Sequence, residues 1–279
     1  MMMTRRSLAA VLFAVIGSSA FANNIVTAEH PPIAPRGWTL QIDDRPTYAR
    51  STNFVNRDGS DKTQASTSRQ DLLIMRVYLP KMMFRASIPV VSQSLNASGR
   101  YGVGDAIFEG GASLEEGPWR LRLLGFTKAP TGNFSNSQAV NVGSGQWDFG
   151  PSLYVTRYFD EKNVDVDLQT QYAFKLPNTT SGVRPGDEWT YALAAARRFD
   201  LGAPVRLGVE QRAFLGEPNR RDGVSIAPAR RSLGAGPVAM IDMGRWLKGF
   251  TIWPTMIFDF YDRNLSRTQL YYLKLQLNY

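Results

Sequence analysis

The feature that most constrains this chain is a two-residue alternation of apolar and polar side chains, which recurs in segments of about ten residues. The clearest example is VDVDLQTQYAFK, residues 164–175, in which Val, Leu, Tyr and Phe alternate with Asp and Gln. Successive side chains of a β-strand point to opposite faces, so this pattern predicts strands with one apolar and one polar face. An all-β fold is therefore expected.

Twelve such segments follow one another, and the connections between them are alternately short and long. This regular alternation predicts an up-and-down antiparallel transmembrane β-barrel of about 12 strands, with both ends on the short-turn side. The predicted strands are 37–50, 69–79, 82–92, 104–115, 146–159, 164–175, 188–199, 233–243, 249–261 and 268–279, with two more around Trp119 and Val205. The predicted long loops are 51–68, 93–103, 129–145, 176–187, 216–232 and 262–267.

Aromatic side chains gather at both ends of the predicted strands, for example Trp119 and Phe199 at short turns and Trp147 and Trp189 at long loops. Two aromatic girdles are typical of a lipid-facing barrel, whereas a soluble β-sandwich, the alternative, gives no reason for this sorting. We therefore expect the bacterial outer membrane as the location. The expected partners are outer-membrane lipids and lipopolysaccharide, and the barrel-insertion machinery, because the last strand ends in Tyr279 and resembles the C-terminal insertion signal.

The N-terminal residues have the pattern of a secretory signal peptide: two arginines, a short apolar stretch and an Ala-Phe-Ala cleavage site. The expected organisation is a signal peptide at 1–22, a Pro-rich leader at 23–36 and a barrel at 37–279. The formal net charge of +8 is basic. Since an exported protein rarely meets nucleic acid, lipopolysaccharide or an anionic solute is the expected partner, and no nucleic acid is expected.

The sequence argues against an enzyme. Its one histidine, His30, precedes the first predicted strand, and the chain has no cysteine. Twelve-stranded outer-membrane phospholipases share this outline, but they require a Ser–His pair on the barrel wall. No catalytic residue, no His and Cys metal site and no cofactor are expected.

The polar strand faces are the candidate functional region. Rings of charged side chains select solutes in channels, whereas a narrow barrel can also close its interior with its own ion pairs. Both alternatives remain open at this point, and inward tyrosines could stack an aromatic solute. The candidate solute-lining residues are Arg120, Arg122, Asp165, Asp167, Arg206, Glu210, Arg212, Tyr154 and Tyr158.

Three motifs in the middle of the chain follow in order: GVGD at 102–105, PTG at 130–132 and GSGQWD at 143–148. Together they resemble the MetA-pathway phenol-degradation family of outer-membrane barrels, from whose pattern Ser144 and Gln146 depart. The resemblance covers roughly residues 102–199. It implies an outer-membrane barrel, often called a transporter, with no catalytic residues. Pro and Gly are also loop-shaping residues, so the motifs could instead be architectural.

The expected function is an outer-membrane pore or transporter-like barrel for small organic solutes, with aromatic solutes as one candidate class. The alternative is a non-conducting barrel whose basic surface loops bind lipopolysaccharide or a surface partner. Those loops contain Arg184, Arg220, Arg221, Arg230, Arg231, Arg263 and Arg267.

Overall fold

A computed structural model describes residues 38–56, 58–138 and 140–279 of the chain. The expected signal peptide at 1–22, the leader at 23–36 and His30 lie outside the described residues. Within the described ranges, no helix is both long enough and apolar enough to cross a membrane.

The described residues form fifteen β-strands and one short 3-10 helix. Twelve long strands make up the wall, β4 extends it beside β3, and β11 and β12 form a separate small hairpin. The strands are β1 Thr39–Val55, β2 Asp61–Leu79, β3 Met82–Leu95, β4 Ser98–Val103, β5 Ala106–Glu116, β6 Trp119–Ala129, β7 Asp148–Phe159, β8 Val164–Lys175, β9 Glu188–Asp200, β10 Pro204–Gly216, β11 Asn219–Arg221, β12 Val224–Ala227, β13 Arg230–Asp242, β14 Phe250–Arg263 and β15 Leu265–Asn278.

The wall closes on itself because β1 pairs with two strands, β2 on one side and β15 on the other. Gln41 of β1, for example, lies opposite Arg76 of β2 and Asn278 of β15. Every other wall strand is antiparallel to the wall strands that precede and follow it in the chain. The prediction of a twelve-stranded up-and-down barrel is confirmed, and the β-sandwich alternative is wrong because a closed wall has no sheet edges.

Four of the predicted long loops are wrong in extent, and one of them, 216–232, contains the small hairpin of β11 and β12 and the start of β13. Most of residues 51–68, 93–103 and 262–267 belongs to β1 to β4, β14 and β15, which continue well past the apolar part of the wall. Asn96 and Asn264 make the sharp connections there with φ of 50° and 54°, a left-handed conformation that asparagine tolerates. These strand ends are rich in Ser, Thr, Asn and Gly and show no regular alternation, although backbone pairing continues.

The short turns lie where the alternation predicts them. Residues 80–81 join β2 to β3, and residues 117–118 join β5 to β6. Gly117 has a φ of 53°, which costs glycine little because it has no Cβ. The turn from β7 to β8 contains the 3-10 helix Asp160–Lys162 and ends at Asn163, which is also left-handed.

The wall is apolar on the outside and polar on the inside. Leu123 and Phe108 are 59% and 53% exposed, whereas Arg76 and Asp165 are fully buried. The exposed aromatic side chains form two belts: Trp38, Trp119, Phe199 and Tyr279 lie at the short-turn ends, and Trp147, Phe174, Trp189 and Phe260 lie at the loop ends. An apolar outer band between two aromatic belts is the surface that a lipid-exposed barrel requires.

Candidate solute pathway inside the barrel

All nine predicted solute-lining residues lie at inward positions of their strands. β8 shows the pattern most clearly, since Asp165, Asp167, Gln169 and Gln171 are buried at alternate positions. The nine residues do not form a single ring. The structure divides them into a group near the short turns, a group halfway along the wall and a group farther along β10.

The group near the short turns is an ion-pair network centred on Asp165. Arg198 Nη2 lies 2.9 Å from Asp165 Oδ1, and Arg206 Nη1 lies 3.1 Å from Asp165 Oδ2. Arg120 Nη1 donates a hydrogen bond of 2.9 Å to Tyr158 Oη, and its guanidinium carbon stands 4.8 Å from the centre of that ring. Arg120, Tyr158 and Arg206 are therefore held in fixed positions.

Arg198 belongs to this network but was not among the predicted residues. It also pairs with Asp160 in the turn after β7, at 2.9 Å. The surrounding sequence, ALAAARRFD, has no apolar and polar alternation, so it does not show which of Arg197 and Arg198 points inward. The pairing of β9 with β8 and β10 decides this.

Arg122 and Asp167 form the group halfway along the wall and differ from the other predicted charges. Both are buried, at 4% and 7% exposure, and among the described residues neither has an ion-pair partner within 4.0 Å. Arg122 lies with its guanidinium carbon 5.4 Å from the centre of the Tyr78 ring, and its Nε has no hydrogen-bond partner. Thr156 Oγ1 donates a hydrogen bond of 2.6 Å to Asp167 Oδ1. A guanidinium group and a carboxyl group without ion-pair partners among the described residues are thus available inside the barrel.

Tyr154 lies beside this pair and is anchored by its hydroxyl group. The Tyr154 hydroxyl donates to both carboxylate oxygens of Glu109, at 3.2 and 3.3 Å, and Arg85 Nη1 lies 2.8 Å from Glu109 Oε2. Tyr154 also packs in a small buried cluster with Tyr78, Met83 and Leu124. This cluster puts aromatic and apolar surface next to Arg122, which is the Cα partner of Tyr154 in the ladder.

Glu210 and Arg212 form the third group, which lies farther along β10 than Arg206. They are ion-paired with each other, and Arg212 Nη2 donates a hydrogen bond of 2.8 Å to Tyr272 Oη. The Tyr272 hydroxyl in turn donates to Glu210 Oε2 at 3.2 Å. All three side chains satisfy one another, so this group acts mainly as a brace between β10 and β15.

A buried network near the outer end was not predicted as part of the site. Lys175 Nζ lies 2.6 Å from Glu188 Oε2 and 3.9 Å from Asp148 Oδ2. Lys128 pairs with Asp148, and Arg230 Nη2 lies 2.8 Å from Glu188 Oε1. All five side chains are at most 5% exposed. Arg230, expected in a surface loop, is therefore an interior residue.

The three sequence motifs meet at one buried carboxylate, Asp105. Gly132 N donates to Asp105 Oδ1 at 3.0 Å, and Ser144 N donates to Asp105 Oδ2 at 2.7 Å. A Cβ on Gly143 would lie 2.4 Å from the carbonyl group of Gly132, so the two loop segments touch through their glycines. These contacts support the architectural interpretation of the motifs.

The remaining loop arginines are distributed over the outer end of the barrel. Arg184 pairs with Asp187 at 3.2 Å and Arg267 with Asp262 at 3.5 Å. In the loop after β1, Ser60 donates from Oγ and from N to Asp58, and these hydrogen bonds hold the pKa of the Asp58 carboxyl group below its ordinary value. The loop surface is thus a mixture of charges.

The outer surface of the wall contains a groove of about 670 Å³. It crosses six strands, from Arg69 and Asp71 on β2 to Leu207 on β10. Pro46 and Pro254 lie at outward positions along it. Because their rings are compact, they leave a depression between larger neighbours.

No group of three or more His, Cys, Asp or Glu side chains suited to a metal ion occurs in the described parts of the chain.

Comparison with known proteins identifies relatives of this barrel. A family model described as "Putative MetA-pathway of phenol degradation" matches residues 53–275. The COG4313 outer membrane channel from Pseudomonas putida F1 superimposes with a TM-score of 0.78 at 17% identity, covering 91% of this chain and all of that one. The NanC porin is a more distant match, with a TM-score of 0.49, 13% identity and coverage of 85% and 98%. Among curated proteins no match was found. The fold is that of an outer-membrane barrel.

Proposed function

The chain belongs to the family of that MetA-pathway model, and we propose that it is an outer-membrane pore for small organic solutes, with aromatic solutes as one candidate class. The observation that carries the proposal is that two buried ionisable side chains, Arg122 and Asp167, have no ion-pair partner among the described residues. A barrel designed only to close its interior would pair them, because an unpaired buried charge is costly.

The surroundings of the two charges support a passage for polar solutes. The network around Asp165 holds the guanidinium groups of Arg198 and Arg206 in place, so it presents fixed positive charge to the interior. Oriented charge on a low-dielectric wall focuses the field and attracts ions of opposite sign. The rings of Tyr78 and Tyr154 add apolar surface at the level of Arg122. A small organic solute with an aromatic ring and an anionic group would match both features.

Single-channel recording in a planar bilayer tests the proposal. The folded protein should conduct, and small aromatic carboxylates such as benzoate should reduce the current more than acetate at the same concentration. A barrel shown to be folded by its heat-dependent gel mobility, yet electrically silent in repeated insertions, would contradict a pore.

A non-conducting barrel is the second candidate function. It is favoured by the buried network of Lys128, Asp148, Lys175, Glu188 and Arg230, which braces the interior near the outer end. In that case exposed arginines at the outer end, Arg220 of β11 and Arg231 of β13, would be the functional surface, binding lipopolysaccharide or a surface partner. The same recordings distinguish the two functions. Neither function assigns a catalytic role to any residue.

A further inference from the structure

The groove on the outer wall runs obliquely between the two ends of the barrel. Arg69 lies ten residues before the end of β2 at Leu79, whereas Leu207 lies only three residues after the start of β10 at Pro204. Both of those strand ends are at short turns, which face the periplasm in outer-membrane barrels. The groove therefore descends from the outer-leaflet side at Arg69 toward the periplasmic side at Leu207.

The dimensions and lining of the groove suit a hydrocarbon chain. Six adjacent strands at a spacing of about 4.8 Å give a length of about 24 Å. One leaflet contributes about half of the ~30 Å hydrocarbon core, so a single acyl chain fits within this length. The bulky side chains that border the groove are Tyr48, Tyr271, Met256, Leu273 and Leu207. Smaller side chains lie between them, those of Pro46, Pro254 and Ala239.

The upper end of the groove carries exposed positive charge. Arg69 pairs across the ladder with Tyr48, and Arg50 lies two residues farther out on the same face of β1. Among the described residues, no carboxylate lies within 4.0 Å of either guanidinium group, in contrast to Arg267, which pairs with Asp262. Tyr48 stacks on Tyr271 with the ring centres 6.4 Å apart. An aromatic pair of this kind marks the interface between hydrocarbon and headgroups.

The charges deeper in the wall fix the level of an anionic headgroup. Asp71 lies two residues below Arg69 on the same face, and Asp44 is exposed still deeper, opposite Leu73. Both carboxylates repel an anion that moves toward the membrane centre. A phosphate group is therefore most stable at the level of Arg50 and Arg69, just above the aromatic pair. Guanidinium groups bind phosphate with strong, charge-assisted hydrogen bonds.

We propose that this part of the wall is a lipopolysaccharide site, in which a lipid A phosphate contacts Arg50 and Arg69 and one acyl chain lies along the groove. The ligand class follows from the position: a phosphorylated, acylated lipid in the outer leaflet, held on the wall rather than on the loops. The site does not depend on whether the barrel conducts.

Lipid binding to the purified full chain in detergent tests the proposal, with native mass spectrometry as the readout. The probes are lipid A with both phosphates, lipid A without phosphates and inorganic phosphate. We expect one lipid A to bind, and about tenfold weaker binding of the dephosphorylated form, since hydrogen bonds between charged partners are strong. Binding of inorganic phosphate as tight as that of lipid A would overturn a lipid site.

Variants at the upper end separate the arginines from general surface charge. The double variant Arg50→Gln/Arg69→Gln should bind phosphorylated lipid A no better than the dephosphorylated form. Arg100→Gln, which removes an exposed arginine from β4, is the matched control and should bind as the unaltered protein does. Asp71→Asn should bind equally well or more tightly, because a repulsive charge is lost. Unchanged affinity in the double variant would remove the two arginines from the site.

A second pair of variants tests the groove itself. Ala239→Phe fills the groove with a ring and should weaken lipid A binding several-fold while both arginines remain. Ala112→Phe adds the same ring at an exposed position of β5, on another part of the wall, and should have no effect. Equal binding by both variants would show that no acyl chain occupies the groove.

Discussion

Lys175 and Glu188 form an ion pair of 2.6 Å inside the outer end of the barrel, where the two side chains are only 2% and 1% exposed. The pair joins the end of β8 to the start of β9 across the intervening loop. Arg230 contacts the other oxygen of the same carboxylate. Glu188 therefore balances two buried cations.

Glu188→Gln should destabilise the barrel by about 3–5 kcal/mol, because removing one member of a buried ion pair leaves the remaining charge uncompensated. Urea unfolding of the protein in lipid vesicles measures the change. The double variant Lys175→Met/Glu188→Gln should recover part of the lost stability, because only Arg230 then remains as a buried cation without the Glu188 carboxylate. A single variant as stable as the unaltered protein would show that water reaches this network.

Arg120 and Arg122 should differ in their effect on ion selectivity, although they lie two residues apart on the same face. Arg122→Gln should shift the reversal potential in a salt gradient toward cations, because the lost charge has no carboxylate partner within 4.0 Å among the described residues. Arg120→Gln removes a charge that is hydrogen-bonded to Tyr158 and 3.7 Å from Glu115, so its shift should be smaller.

The selectivity change should also weaken as salt approaches ~1 M, where the screening length falls to about 3 Å. The double variant Arg120→Gln/Arg122→Gln provides the upper limit of the effect. If a folded, conducting double variant keeps its reversal potential, neither arginine lines the passage.

Asp105→Asn should loosen the outer loops without unfolding the wall. An amide can still accept hydrogen bonds, but its NH₂ group would face the Ser144 backbone N–H, which now donates to Asp105 Oδ2. Limited proteolysis should then cut the loop between β6 and β7 faster, by at least about tenfold if one charge-assisted hydrogen bond is lost. Asp222→Asn, at an exposed loop position whose positive φ asparagine tolerates, is the control. Equal cleavage rates in the two variants would argue against a role of Asp105 in holding the loop segments at Gly132 and Ser144 together.

Gly150→Ala should impair barrel formation, whereas Gly125→Ala should be harmless. A Cβ on Gly150 would lie 1.9 Å from the carbonyl oxygen of Tyr172, so β7 and β8 would have to separate. A Cβ on Gly125 meets no atom within 4 Å. The fraction of protein that migrates as the compact form on an unheated gel measures the outcome. Equal fractions would mean that the strands shift easily at this point.

The sequence predicts the wall well because lipid imposes a strict rule on it. Most outward residues between the aromatic belts meet hydrocarbon, so strands such as β8 alternate clearly over that part. Beyond the belts this rule no longer applies. The outer halves of β1 and β2 are rich in Ser and Thr on both faces, and their pairing cannot be deduced from periodicity.

The interior was predictable by position but not by partner. Alternation alone places Arg120 and Arg122 on the inward face of β6, but it does not show that only Arg120 has a hydrogen-bonded partner across the ladder among the described residues. Tyr158, the partner of Arg120, comes from a neighbouring strand, while the ring near Arg122 comes from Tyr78 on β2. Such pairings depend on the stagger of strands around the closed wall, which is a property of the whole barrel.

Pro237 and Pro254 have a consequence for how the finished wall holds together. They lie on adjacent strands, and the ladder between β13 and β14 registers Ala235, Val238 and Ile241 with their partners but skips positions between them. Proline has no N–H to donate, so this seam has fewer rungs than its neighbours. The contact between β13 and β14 therefore depends more on side-chain packing, such as that of Trp253 against Met240. In deuterated buffer the backbone amides of β13 and β14 that flank this seam should exchange first among the wall strands. The barrel would then open locally between these two strands before it opens elsewhere.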